Sequence, residues 1–133
     1  MNQEHLNLAE KFNSFAYDLI SNEKNVKNNV QSLNDDELYR RIIFNKYYYA
    51  LYHKYLAYDD ELSSKSGSGK HKAILTKIES CQDPKLLQIY IKLLNLRIWA
   101  DYKLDNDQQA LSVNLASLNS DVWNIIKRTN INC

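Results

Sequence analysis

Glycine and proline are nearly missing from this 133-residue chain, which holds two of the first and one of the second. A β-sandwich or barrel needs a turn signal at intervals of roughly ten residues, and so few breakers cannot supply them. The scarcity argues for long helices. Cysteine is almost as rare. Cys81 and Cys133 stand alone, and no Cys or His pair lies at metal-ligand spacing, so neither a metal nor a cofactor is expected. Read as free thiols in a chain whose start (MNQEHLNLAEKF) lacks a basic segment followed by an apolar run, they suggest a reducing cytoplasm. No apolar stretch approaches the roughly 20 residues that cross a bilayer, so no membrane partner is expected. An excess of either charge is also lacking. The net charge of +1 gives no global pull toward nucleic acid, and any RNA contact must come from a local basic patch.

What is present fits one globular domain over residues 1–133. Hydrophobic residues make up 44% and charged residues 25%, too apolar for a disordered chain. The length allows a core that needs no disulfide or metal staple. The spacing of Leu8, Phe12, Phe15, Ala16, Leu19 and Ile20 predicts a helix over about 4–20. The polar stretch 22–31 reads as a frayed extension or a loop. A second helix starts at an Asn34 or Asp35 cap, carries acidic residues in its first turn, and runs to Asp59 or Leu62 on the stripe Leu38, Ile42, Tyr49, Tyr52 and Leu56. Ser63 to Gly69 reads as a flexible linker. A short helix follows over Lys70 to Ser80, with Ile74, Leu75 and Ile78 on one side. Asp83-Pro84 opens a fourth main element with the stripe Leu87, Tyr90, Ile91, Leu94, Ile98 and Tyr102. After a polar break at 105–107, one last helix is expected over about 108–128, on Leu111, Leu115, Leu118, Val122, Ile125 and Ile126. The expectation is an all-α, antiparallel bundle of four to five helices.

Three segments carry a family resemblance. Tyr48-Tyr49-Ala50-Leu51-Tyr52-His53 resembles the YYAMFH-type segment of small prokaryotic HEPN proteins. Lys70-His71, followed by Ile74, resembles the Lys-His element after their loop, and Leu96-Arg97-Ile98-Trp99-Ala100-Asp101-Tyr102 resembles their LR-x-x-ADY segment. The match spans about Leu38 to Leu104. The resemblance implies a helical bundle that often dimerises, and a place in a toxin–antitoxin or antiviral defence module beside a nucleotidyltransferase-like partner. It also implies RNA or nucleotide as ligand, and in several such families metal-independent ribonuclease activity. Their nuclease signature is an Arg followed after four to six residues by a His. Here no His follows Arg40, Arg41, Arg97 or Arg128 at that spacing, and the positions after Arg97 hold Tyr102, Lys103 and Leu104. Whether the chain is an enzyme stays open.

Metal-free RNA cleavage needs a base for the 2′-hydroxyl, an acid for the leaving oxygen and a cation for the phosphorane charge. Arg97 is the candidate cation, His71 the acid or base, and Tyr102 a hydrogen-bonding group. Asp101, four residues past Arg97 on one helical face, is placed to hold the guanidinium, while Lys70, His53 and Tyr48 are candidates for substrate contact. The plainer reading is a structural Arg97–Asp101 ion pair and a His53 packed in the bundle. Tyr47, Tyr48, Tyr49, Tyr52, Tyr55 and Tyr58 offer stacking surfaces for bases, but tyrosines round a helix more often pack a core. Because Tyr47, Tyr48 and Tyr49 point about 100° apart, one of them is expected to face a second subunit or protein partner. Ser66-Gly67-Ser68-Gly69-Lys70 is not a phosphate loop, since Ser64 and His71 stand where that pattern needs Gly and Ser or Thr. Three readings follow: an RNA-directed defence component, a non-catalytic accessory subunit working through protein contacts, and a structural adaptor.

Overall fold

The computed structural model describes residues 1–65, 69–129 and 131. Within them run α1 (Gln3–Ser21), α2 (Glu23–Asn29), a 3-10 turn (Gln31–Asn34), α3 (Asp36–Ala57), α4 (Asp60–Ser64), α5 (Lys70–Ser80), α6 (Pro84–Tyr102), α7 (Gln108–Leu111) and α8 (Leu115–Ile126), and no strand among the described residues. Local chemistry places the starts. Asn2, Asp35, Asp59, Asp83, Asp107 and Asn114 each cap the helix that follows by accepting a hydrogen bond from one of its first backbone N–H groups. Pro84 sits in the first turn of α6, where its missing N–H leaves no helix bond unmade. Gly69 enters α5 at φ +100°, a conformation that side chains rarely tolerate.

Helix α3 is the axis of the bundle. It packs against α1, α6, α8, α5 and α7, and twelve of its 22 residues are buried. A helix surrounded on several sides has no single apolar stripe. That explains why only part of the expected stripe is buried: Tyr52 and Leu56 are, but Leu38 is exposed and Ile42 and Tyr49 are half-buried, while Tyr39, Ile43, Phe44, Tyr47, Tyr48 and Leu51 fill the core. It also accounts for the three successive tyrosines. Tyr47 and Tyr48 are fully buried and Tyr49 half-buried, each against the chain's own helices, so none of them has to face a partner.

Two other faces are rotated from expectation. Helix α1 turns Ala9, Asn13, Ala16 and Leu19 inward and leaves Phe15 exposed, because small side chains let it lie close against α3. Helix α6, apolar almost all round, buries Tyr90 as expected, but otherwise Leu86, Ile89, Leu93, Leu96 and Trp99; Leu87, Leu94 and Ile98 are half-buried, and Ile91 and Tyr102 face outward. The stretch 22–31 is partly helical, as α2. Ser63 and Ser64 end α4 instead of opening a linker, while 66–68 lie outside the described residues. The last expected helix is two, α7 and α8. Ser112 and Asn114 break it, and Arg40 Nη1 donates to the freed carbonyl of Val113 at 2.8 Å. Cys133 lies outside the described residues. No described helix is long and apolar enough to cross a membrane.

Candidate functional site

The helix contacts of α3 with α6 and α5 bring most of the sequence candidates to one place. Arg97, from the penultimate turn of α6, reaches across to α3. Its Nε donates to Asp101 Oδ2 at 3.0 Å, and its Nη2 donates to the hydroxyls of Tyr49 at 3.0 Å and Tyr102 at 3.2 Å. The guanidinium also lies 5.2–5.5 Å from the ring centroids of Tyr48, Tyr49 and Tyr102, within cation–π range. Asp101 is held in turn by Asn45 Nδ2, at 3.1 and 3.2 Å from its two oxygens. The expected helical pair therefore forms, and it is one leg of a larger clamp. Nη1 makes no hydrogen bond among the described residues, so one edge of the fork is left for an anion such as phosphate.

His71, in the first turn of α5, packs on the same tyrosines. Its ring stacks on Tyr52 at 4.5 Å and on Tyr48 at 5.6 Å, and meets Tyr49 edge-on at 5.9 Å. Its Nδ1 is 2.6 Å from the Tyr48 hydroxyl, which is 3.1 Å from the Tyr90 hydroxyl. Arg97 and His71 thus share the rings of Tyr48 and Tyr49. Burial raises the Tyr48 pKa to about 12 against the opposing pull of Tyr90 and Arg97, and burial raises Tyr90 as well, so both hydroxyls keep their protons. Burial and then Arg97 lower the His71 pKa, so the ring is neutral at pH 7. With Tyr48 donating to Nδ1, His71 carries its proton on Nε2. In the reverse tautomer, Nε2 is a free base.

The other candidates divide. Tyr102 is 65% exposed; its hydroxyl accepts from Arg97, so its own proton remains available to a ligand. Tyr48 is fully buried and positions His71 instead of touching a ligand. Lys70 opens α5 half-buried, close enough to lower the pKa of His5 and His53 electrostatically. His53 is packed within the bundle, as the plainer reading has it. Its Nδ1 lies 2.9 Å from Nδ1 of His5, the rings stack at 5.1 Å, and burial first, then His5, Lys70 and His71, push its pKa down to about 4.

From the sequence alone, Arg41, Asn45 and His5 have no part in a site, and Tyr49 has only a place in a helix stripe and a stacking surface. Arg41 pairs with Glu37 and donates to the carbonyls of Trp99 and Ala100 at 2.7 and 3.0 Å, with its guanidinium 4.0 Å from the Trp99 ring. It anchors the end of α6 that carries Asp101 and Tyr102. The Glu37–Arg41 spacing was visible in sequence, but its α6 partners were not. No group of three or more potential ligands that could hold a metal occurs among the described residues. A cleft of about 200 Å³ adjoins the site through Asn45 and Asp101. Comparison with models of protein families, with characterised proteins and with solved structures finds no match.

Proposed function

We propose that the chain is a HEPN-like component of a prokaryotic toxin–antitoxin or antiviral defence module, and that it takes RNA or a nucleotide at the Arg97 surface. What carries the reading is the convergence of Arg97, Tyr102 and His71 around Tyr48 and Tyr49, from three segments that also carry the family resemblance. Each group has a role that its surroundings permit. The open Nη1 edge of Arg97 takes a phosphate oxygen, the exposed Tyr102 ring stacks on a base and its hydroxyl hydrogen-bonds the backbone, and neutral His71 serves as base or hydrogen-bond donor. Cleavage on this site needs no metal: His71 takes the 2′-hydroxyl proton, Arg97 balances the phosphorane charge, and Tyr102, held by Arg97, donates to the departing oxygen.

A second reading, a non-catalytic accessory subunit acting through protein contacts, draws on the buried network. Tyr48, Tyr90 and Asn45 give the Arg97 cluster the look of a helix-to-helix clamp, and the signature Arg-to-His spacing is absent.

Labelled RNA incubated in EDTA with wild type, Arg97→Ala and His71→Ala separates the two. A phosphate contact from Arg97 predicts roughly tenfold weaker RNA binding in Arg97→Ala and a salt slope lower by about one. Cleavage by wild type that either variant abolishes identifies a nuclease. Equal RNA affinity of folded wild type and Arg97→Ala sinks the RNA reading and leaves the accessory role.

A further inference from the structure

Away from the Arg97 surface, α1, α3 and α8 enclose a cleft of about 510 Å³ whose wall holds two buried polar groups with incomplete partners. Asn13 is 5% exposed, and its Oδ1 accepts no hydrogen bond. Lys54 is 2% exposed. Its Nζ donates to the Arg128 carbonyl at 2.6 Å and rests 5.1 Å from the Tyr58 ring centroid, but it forms no ion pair with a carboxylate among the described residues. An ammonium has three donors and a full charge, so one carbonyl and one ring leave it under-compensated. Burial accordingly lowers its pKa, with Glu10 pulling the other way. A buried acceptor without a donor and a buried cation without an anion, lining one opening, are complementary to a ligand that brings both.

We propose that this cleft binds a free α-amino acid with an apolar side chain. Glu10, Asn13 and Ser14 stand at i, i+3 and i+4 of α1 and all line the cleft, so a carboxylate, an amide oxygen and a hydroxyl form a three-acceptor cradle for an α-ammonium group. Lys54 takes the α-carboxylate. Trp123, half-exposed on α8, and Leu6 supply the apolar wall for the side chain. The charge pattern selects this class. Lys127 and Arg128 also line the cleft, but Arg128 is paired with Asp83 and Lys127 is exposed, so Lys54 and Glu10 set the choice. A phosphate dianion would meet Glu10 on the same wall, a simple amine would meet Lys54, and a zwitterion satisfies both. This inference is independent of the RNA reading, because none of the groups named here belongs to the Arg97 cluster.

Titration of the full chain with L-leucine, followed by Trp123 fluorescence with Trp123→Phe as the control and by calorimetry, tests it. Saturable binding is expected, weakened at least about tenfold for leucinamide, which lacks the carboxylate, and for 2-hydroxy-4-methylpentanoate, which lacks the ammonium, each loss being about one charge-assisted hydrogen bond. Lys54→Met and Asn13→Leu, of similar volume, are expected to remove it while the chain stays folded. The ligand series stands even if a variant fails to fold. Absence of saturation by leucine, phenylalanine or methionine up to ~10 mM, the range of a ligand held by little more than a millimolar constant, overturns the proposal and leaves a hydrated cleft. So does equal binding of leucine and leucinamide.

Discussion

The Tyr90–Tyr48–His71 chain makes a quantitative prediction that tests the core of the candidate site. Tyr48→Phe deletes the one hydroxyl that meets both neighbours, at 2.6 Å to His71 Nδ1 and 3.1 Å to Tyr90. The lost hydrogen bond costs about 1 kcal/mol, and the buried Tyr90 hydroxyl left without a partner adds about 1–2 kcal/mol, so the variant should lose about 2–3 kcal/mol. Tyr90→Phe removes the weaker end only. Tyr48 keeps His71, and the cost is about 1 kcal/mol. In the double variant no orphaned hydroxyl remains at position 90, so the loss should be about 2 kcal/mol, less than the sum of the singles by about 1–2 kcal/mol. Urea denaturation followed by circular dichroism measures all four corners of the cycle, and the midpoints carry the comparison as long as the slope is unchanged. Additivity to within about 0.4 kcal/mol would refute the reasoning, since independent hydroxyls give that result.

Two further outcomes follow from the electrostatics. His53 is held neutral, with its pKa pushed down to about 4 by burial, His5, Lys70 and His71. The unfolded chain, titrating near the ordinary histidine value of about 6.5, binds its proton first on acidification, so this group makes stability rise with pH between about 4 and 6.5. The urea midpoint should be higher at pH 7 than at pH 5, and His53→Gln should flatten that slope; an unaltered slope in the variant would assign the effect elsewhere. Arg41→Met removes two hydrogen bonds from a guanidinium to the last carbonyls of α6 and a cation–π contact with Trp99. A loss of about 2–4 kcal/mol is expected, together with faster amide exchange over 97–102. A variant as stable as wild type would mean that α6 ends where it does without Arg41.

Fold class was legible in the sequence because it depends on local rules. Few Gly and Pro, side-chain caps at Asp35 and Asp83, and a clean stripe on α8 each act over a few residues, and the bounds of α5 and α6 follow from them directly. Half of the site was legible in the same way, since Arg97 and Asp101 lie one turn apart whatever surrounds them. The rest depended on neighbours. For α3 and α6, apolar on more than one side, the pattern admits several rotations, and only the packing partners select the buried one. The break between α7 and α8 went unread because Ser112 and Asn114 are tolerable inside a helix until Arg40, from 70 residues away, offers the freed carbonyls a better partner.

By itself, then, the sequence determined that this chain would be helical, where most helices begin, and that Arg97 would be held by Asp101. Tertiary structure alone decided that Tyr48 is a buried link to His71 and not a contact surface, that His5 meets His53 across 48 residues, and that Asn13 and Lys54 line one cleft. The division has a physical cause. Helix propensity, capping and i, i+4 pairing act over a turn or two of chain. Burial, desolvation and hydrogen bonds between helices are properties of an environment that exists only once the chain has folded.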